Sequence, residues 1–132
     1  MRLLGLNAPL LLQSMEICKQ PFIGGEVDSH QDSTFLYTTP ESCIGLWLAL
    51  EPANTSNGCM WAARGGHKAP LKFRVQKQGE DMVMTALSDK DLADCTIPLE
   101  AETGTLIVLR GGLPHLSHEN KSATSRYAYA LH

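Results

Sequence analysis

"CIGLWLALEPANTSNGCMWAARGGHK" occupies residues 43–68. Its first eight residues form a near-continuous apolar run of strand length. The cluster Pro52, Asn54, Ser56, Asn57 and Gly58 then supplies the residue types of a turn. "CMWAA" reads as a second short strand, closed by "RGGHK". Strand, turn and strand in so short a span predict β structure. The same pattern continues on both sides. "LKFRVQ" (71–76) alternates, with Leu71, Phe73 and Val75 on one face and Lys72, Arg74 and Gln76 on the other. "GTLIVLRGG" (104–112) and "SRYAYALH" (125–132) read as two more strands, and Leu10 to Lys19 as another, ended by Pro21 and the Gly24-Gly25 pair. Only "SDKDLADC" (88–95) invites a helical turn, with Ser88 or Asp89 as its cap. Six to eight short strands at regular spacing predict an all-β sandwich or barrel. No repeat, linker or low-complexity tract divides residues 1–132, so a single domain is expected.

Composition narrows the function classes. The formal charge of −3 gives no global field that favours nucleic acid or an anionic membrane. No stretch approaches the roughly 18 apolar residues of a membrane span. The apolar start, "MRLLGLNAPLLLQSM", is broken by Asn7 and Pro9 and offers no small-x-small cleavage site. Cys18, Cys43, Cys59 and Cys95 form no C-x-x-C pair, and reduced thiols in the cytoplasm are the expectation.

"GGEVDSHQDSTFLYTTP" (24–40) carries His30 and Asp32 two positions apart among strand-forming residues. Side chains at i and i+2 of a strand share a face. Two polar groups there cost stability unless something binds them: a metal ion, or simply a hydrogen bond between the two. His115 follows Asp32 at the end of another strand-like run. A His-x-Asp and one remote His make the ligand set of a facial triad, which leaves three positions of an octahedral Fe(II) open. A jelly roll suits that set, because sequence-distant strand ends converge at one mouth. Eleven residues beyond His115 stands Arg126, whose guanidinium is able to clamp the distal carboxylate of a 2-oxo acid, with Ser117 adding a hydroxyl donor. The plainer alternatives are a solvated surface arginine and loop polarity.

With these residues in hand, the chain resembles the phytanoyl-CoA dioxygenase (PhyH) family, Fe(II)- and 2-oxoglutarate-dependent oxygenases on a double-stranded β-helix. The resemblance is carried by "LLLQSMEICKQPFIGGEVDSHQDSTFLYTTP", "IGLWLALEPANTSNGCMW", "RGGHK" and "PHLSHENKSATSRYAYALH". It implies that His30, Asp32 and His115 are the iron ligands and the catalytic centre. It places Met15, Gln31, Trp47, Ser117 and Arg126, with the ligands, around 2-oxoglutarate. The implied chemistry hydroxylates a small molecule, conceivably an acyl-CoA-like one, with O₂ as co-reactant, release of succinate and CO₂, and ascorbate as a stimulant.

The departures carry expectations of their own. The family usually has Pro-Gly-Ser-His where this chain has "RGGHK", so the loop there should differ, with His67 in a loop hydrogen bond. His118 competes with His115 for the distal ligand, and the Ser at +2 and the Arg at +11 favour His115. Residues 69–100 match poorly, and substrate specificity is expected there. Lys68, Lys72, Arg74 and Lys77 read as a solvated strand face or as a surface for an anionic substrate. The family's helical N-terminal region, which buttresses the major sheet, has no counterpart here, so a domain incomplete at both ends and an uncovered apolar face including part of Leu3 to Leu12 are expected, with self-association. Two other classes stay open: a catalytically impaired metal-binding member of the fold, and a non-redox cupin-like metalloprotein.

Overall fold

Small residues and alternation build the larger sheet. In the strand Ile44–Ala49 (β3), Gly45, Trp47 and Ala49 are buried while Ile44, Leu46 and Leu48 are half-exposed. The computed structural model, which describes residues 4–132, repeats that pattern in Arg126–Leu131 (β10), where Arg126, Ala128 and Ala130 face inward. Ser14–Lys19 (β1) pairs with β10, β10 with β3, and β3 with Leu106–Arg110 (β8), all antiparallel, giving the order β1-β10-β3-β8. The second sheet has the order Val27–His30 (β2), His115–Ser117 (β9), Met60–Ala62 (β4) and Ile97–Leu99 (β7), again antiparallel. The fold is therefore the expected all-β jelly roll, with two four-stranded sheets facing each other. Phe73–Gln78 (β5) and Asp81–Ala86 (β6) form a separate two-stranded ribbon.

The core lies between the sheets. Trp47, Ala49, Ala53, Cys59, Met60, Ala101, Leu109, Ala128 and Ala130 pack as one cluster. Most are small, so the inner faces leave open space at one end instead of filling it.

Two expectations need correction. Residues 88–95 form no helix; the only cap-like contact is Lys90 N–H donating to Ser88 Oγ at 3.2 Å. Three aspartates and no apolar stripe give that segment nothing to bury. Leu10–Leu12 are not strand either, since pairing begins only at Ser14. No helix among the described residues is long and apolar enough to cross a membrane.

Candidate metal centre

The site begins where β2 ends. His30 is the last residue of that strand, and Gln31 stays extended with φ −118° and ψ 127°. Asp32 then opens a short 3₁₀ turn, Asp32–Thr34. Asp32 is thus not a strand residue, as its spacing from His30 suggested. The strand's alternation persists through Gln31, which is enough to bring His30 and Asp32 to the same side. Gln31 consequently points away. Its amide donates to Gly112 O at 2.8 Å, and its Oε1 accepts from Lys72 N at 3.0 Å. Of the residues assigned to the co-substrate pocket, Gln31 alone does not line the cavity described below.

His115 enters from β9, directly opposite His30 in the register, and the two rings lie 4.3 Å apart between centroids. The turn before β9 locks it in place. Gly111 O accepts from Ser33 N at 3.0 Å, Gly111 N donates to Cys43 O at 2.8 Å, and Gly112 O holds Gln31. Both ends of the ligand set are therefore tied to one another through backbone.

The two imidazoles present matching faces. His30 Nδ1 lies 2.8 Å from Asp28 O and His115 Nδ1 lies 3.0 Å from Leu113 O. A carbonyl can only accept, so each Nδ1 carries a proton, and in the neutral ring each Nε2 keeps its lone pair for a metal. Those two Nε2 atoms face Asp32 Oδ1 at 3.4 and 3.6 Å. Ligand atoms of His30, Asp32 and His115 all lie within 4.8 Å of one another. Two basic nitrogens and one carboxylate oxygen, oriented by backbone carbonyls, fit a divalent transition metal.

Electrostatics agree with the geometry. Burial pushes the Asp32 carboxyl up, but the imidazoles of His132 and His30 and the charge of His115 outweigh it and hold the group well below the usual carboxylate range. His30 is raised by its contact with Asp32, and burial lowers His115. His118 is elsewhere, with its ring edge-on to Trp61 at 5.6 Å, and it is outside the ligand cluster. His67 lies exposed in the turn Gly66–Lys68.

Beside the triad opens a cavity of about 330 Å³. Met15, Trp47, Ser117 and Arg126 line it together with His30, Asp32 and His115, and so do the apolar side chains of Ile17, Met60 and Leu109. Arg126 is not a surface charge, being only 1% exposed. Its Nε and Nη2 donate to Gly58 O at 3.2 and 2.9 Å, while the buried Nη1 has no partner among the described residues. Its guanidinium carbon sits 5.6 Å from the Trp47 ring centre. Burial lowers the guanidinium to about 10, and no carboxylate pairs with it among the described residues. A buried, unpaired donor on a cation is costly unless an anion meets it.

Two features escaped the sequence reading. His132 reaches the same carboxylate from the far side, its Nε2 3.4 Å from Asp32 Oδ2. It could have been found by counting in twos along β10 from Arg126, which puts residues 128, 130 and 132 on the inner face. Lys19, paired with Arg126 in the β1–β10 register, is 2% exposed and donates to the carbonyls of Gly25 and His118. A lone lysine at a strand end carries no such signal.

The family model described as phytanoyl-CoA dioxygenase (PhyH) matches residues 3–128. Phytanoyl-CoA dioxygenase 1 of Oryza sativa subsp. japonica is 52% identical over 94% of this chain and 44% of its own length. Phytanoyl-CoA dioxygenase domain-containing protein 1 of Mus musculus is 41% identical over 99% of this chain and 47% of its own. The chain therefore spans less than half the length of these relatives. Among solved structures, EvdO2 from Micromonospora carbonacea var. aurantiaca, complexed with 2-oxoglutarate, superposes with a TM-score of 0.66 at 24% identity, covering 89% of this chain and 49% of that one.

Proposed function

The chain belongs to the phytanoyl-CoA dioxygenase family, and from that premise we propose that it is an Fe(II)- and 2-oxoglutarate-dependent dioxygenase acting on a small molecule. The observation that carries this reading is Arg126. A buried cation with a free Nη1 shares one cavity with three converging ligand atoms. A plain metal-binding barrel has no need of it.

His30, Asp32 and His115 would hold the iron, and Arg126 with Ser117 would hold the distal carboxylate of 2-oxoglutarate. When bound, iron and 2-oxoglutarate supply an O₂-dependent hydroxylation coupled to decarboxylation to succinate and CO₂. The chain's own contribution is orientation and an apolar wall. Trp47, Met15 and Ile17 wall the cavity with apolar surface, which strengthens each charged contact inside it. Gly58 O takes two guanidinium donors and leaves the third nitrogen, Nη1, buried without a partner among the described residues, beside the cavity that Arg126 helps to line. The ribbon β5–β6 stands beside the metal turn through the Gln31–Lys72 contact, and Arg74 stacks on Tyr37 at 3.8 Å. Lys72 there is paired with Asp91, and an anionic substrate such as an acyl-CoA is the class we assign to the remaining cations of that side, Lys68, Arg74 and Lys77.

The test is an anaerobic titration of the 132-residue chain with Fe(II) and 2-oxoglutarate, followed by a succinate assay on admitting air. Stoichiometric binding of both and succinate release support the reading. Metal binding that is indifferent to 2-oxoglutarate would overturn it. Binding of both without succinate would support the second reading, a catalytically impaired metal-binding member of the fold.

A further inference from the structure

Asp32 is approached by three imidazoles, and they are not alike. His30 and His115 have their Nδ1 atoms on backbone carbonyls and turn lone pairs toward Oδ1. The Nδ1 of His132 is buried and has no partner among the described residues. Its Nε2 faces the other carboxylate oxygen, Oδ2, which is itself buried without a hydrogen bond. With no acceptor at Nδ1 and a carboxylate at Nε2, the proton of this imidazole belongs on Nε2. At 3.4 Å the pair stands a few tenths of an ångström beyond a full N–H···O bond. A small rotation of either side chain closes that gap.

The surroundings keep His132 at this spot. Its backbone is clipped to the chain before β1, with His132 N donating to Gln13 O at 3.0 Å and Leu12 N donating to His132 O at 2.8 Å. Gly45 in β3 leaves room for the ring. A Cβ there would stand 3.2 Å from His132 Nε2 and 3.4 Å from Asp32 Oδ2. Both side chains are nearly sealed from solvent, at 7% and 8% exposure.

We propose that His132 is a positioning residue that donates from Nε2 to Asp32 Oδ2 and so restricts the carboxylate to one-point metal ligation through Oδ1. A carboxylate is able to bind a metal through one oxygen or both. Chelation through both would take a fourth position of an octahedral ion and leave two. One-point ligation leaves three, the number a chelating 2-oxo acid and O₂ need together. The inference rests on the metal and co-substrate reading above, and it adds the group that keeps the third position free.

Infrared difference spectra, metal-loaded minus metal-free, test it on the 132-residue chain with Zn(II) and carboxyl-labelled aspartate. The separation of the antisymmetric and symmetric carboxylate stretches is wide for one-point ligation and narrow for chelation. The parent is expected to give a wide separation. His132→Leu and His132→Asn, which remove the donor or its reach, are expected to give a narrow one. His132→Gln, which carries an amide donor on a longer stem, is expected to restore the wide one. In Mn(II)-loaded protein the Leu and Asn variants should bind 2-oxoglutarate about tenfold more weakly, with His132→Gln close to the parent. A parent-like separation in both His132→Leu and His132→Asn would overturn the inference, as would a narrow one in the parent. A parent that takes up no Zn(II) removes the metal reading itself and this inference with it.

Discussion

Asp32 is the anionic member of the ligand cluster, so its removal separates metal binding from folding. Asp32→Ala is expected to abolish stoichiometric Fe(II) binding while the far-ultraviolet circular dichroism stays that of a β protein. His118→Ala, outside the cluster, should leave the metal dissociation constant within about threefold. Arg126→Lys tests the co-substrate contact. A lysine presents one compact ammonium and cannot both hold Gly58 O and reach the ligand. Losing one charge-assisted hydrogen bond, worth roughly 1.5–3 kcal/mol, should weaken 2-oxoglutarate binding about tenfold to a hundredfold in calorimetry, with iron binding barely changed. Unchanged affinity would return Arg126 to a structural role under Gly58. Much of this was legible from residue types, because His-x-Asp, a remote His and a later Arg are spaced for strands. Gln31 was set in the pocket by the resemblance alone, whereas the alternation that turns His30 and Asp32 inward turns Gln31 outward, onto Gly112 O and Lys72 N.

Strands and turns transmit that order. β3, β8 and β10 could be read as apolar runs of strand length bounded by turn residues. β6, β7 and β9 could not: β6 is almost wholly exposed, and β7 and β9 have three residues each, too few for a period to register. The turn joining β8 to β9 was visible only as "RGG". A Cβ on Gly111 would lie 2.3 Å from Ser33 Oγ and 2.7 Å from Cys43 Cβ. Gly111→Ala should therefore push the Asp32–Thr34 turn away from β9, costing roughly 1–3 kcal/mol of unfolding free energy in a denaturant melt and weakening metal binding with it. The β1–β10 pair makes a different prediction. Burial and the neighbouring Arg126 push Lys19 down to about 8, against partial support from Glu26 and Glu119. A lysine lowered from 10.5 binds fewer protons folded than unfolded between those values, so stability rises with pH across that window. The gain is about 3 kcal/mol at 1.36 kcal/mol per unit. Urea melts at pH 7.5 and pH 10 should show about 2 kcal/mol of it in the parent, since the unfolded lysine is still mostly protonated at pH 10, and Lys19→Gln should lack that component of the rise.

At the scale of the whole molecule, the larger sheet has two unlike faces. Inward it presents Trp47, Ala49, Ala128, Ala130 and Leu109; outward, the register lines up Tyr129, Leu48 and Leu106 in one row and Leu131, Leu46 and Val108 in the next. Leu106 is 53% exposed and Val108 45%. Leu10, Leu11 and Leu12 are exposed as well, while Leu3, also expected in an apolar patch, lies outside the described residues. A six-residue apolar face on one sheet exceeds the scattered exposure usual for a monomer. The strand pattern made this legible in part: "GLWLAL" and "GTLIVLRGG" are apolar on both faces, which suits a sheet covered on both sides. Association through that face is the expected consequence for the 132-residue chain. Sedimentation velocity should give a dimer or larger species whose population grows with concentration, and 1 M salt should not dissolve it, since no charge pair carries the contact. Leu48→Lys with Leu106→Lys places two like charges at adjacent positions of one row. Repulsion and desolvation across any apposed copy should then shift the chain to monomer, with the Zn(II) affinity of the inner face unchanged. A parent that sediments as a monomer at every concentration would mean the outer rows are tolerated in water, and the double variant would then have nothing to relieve.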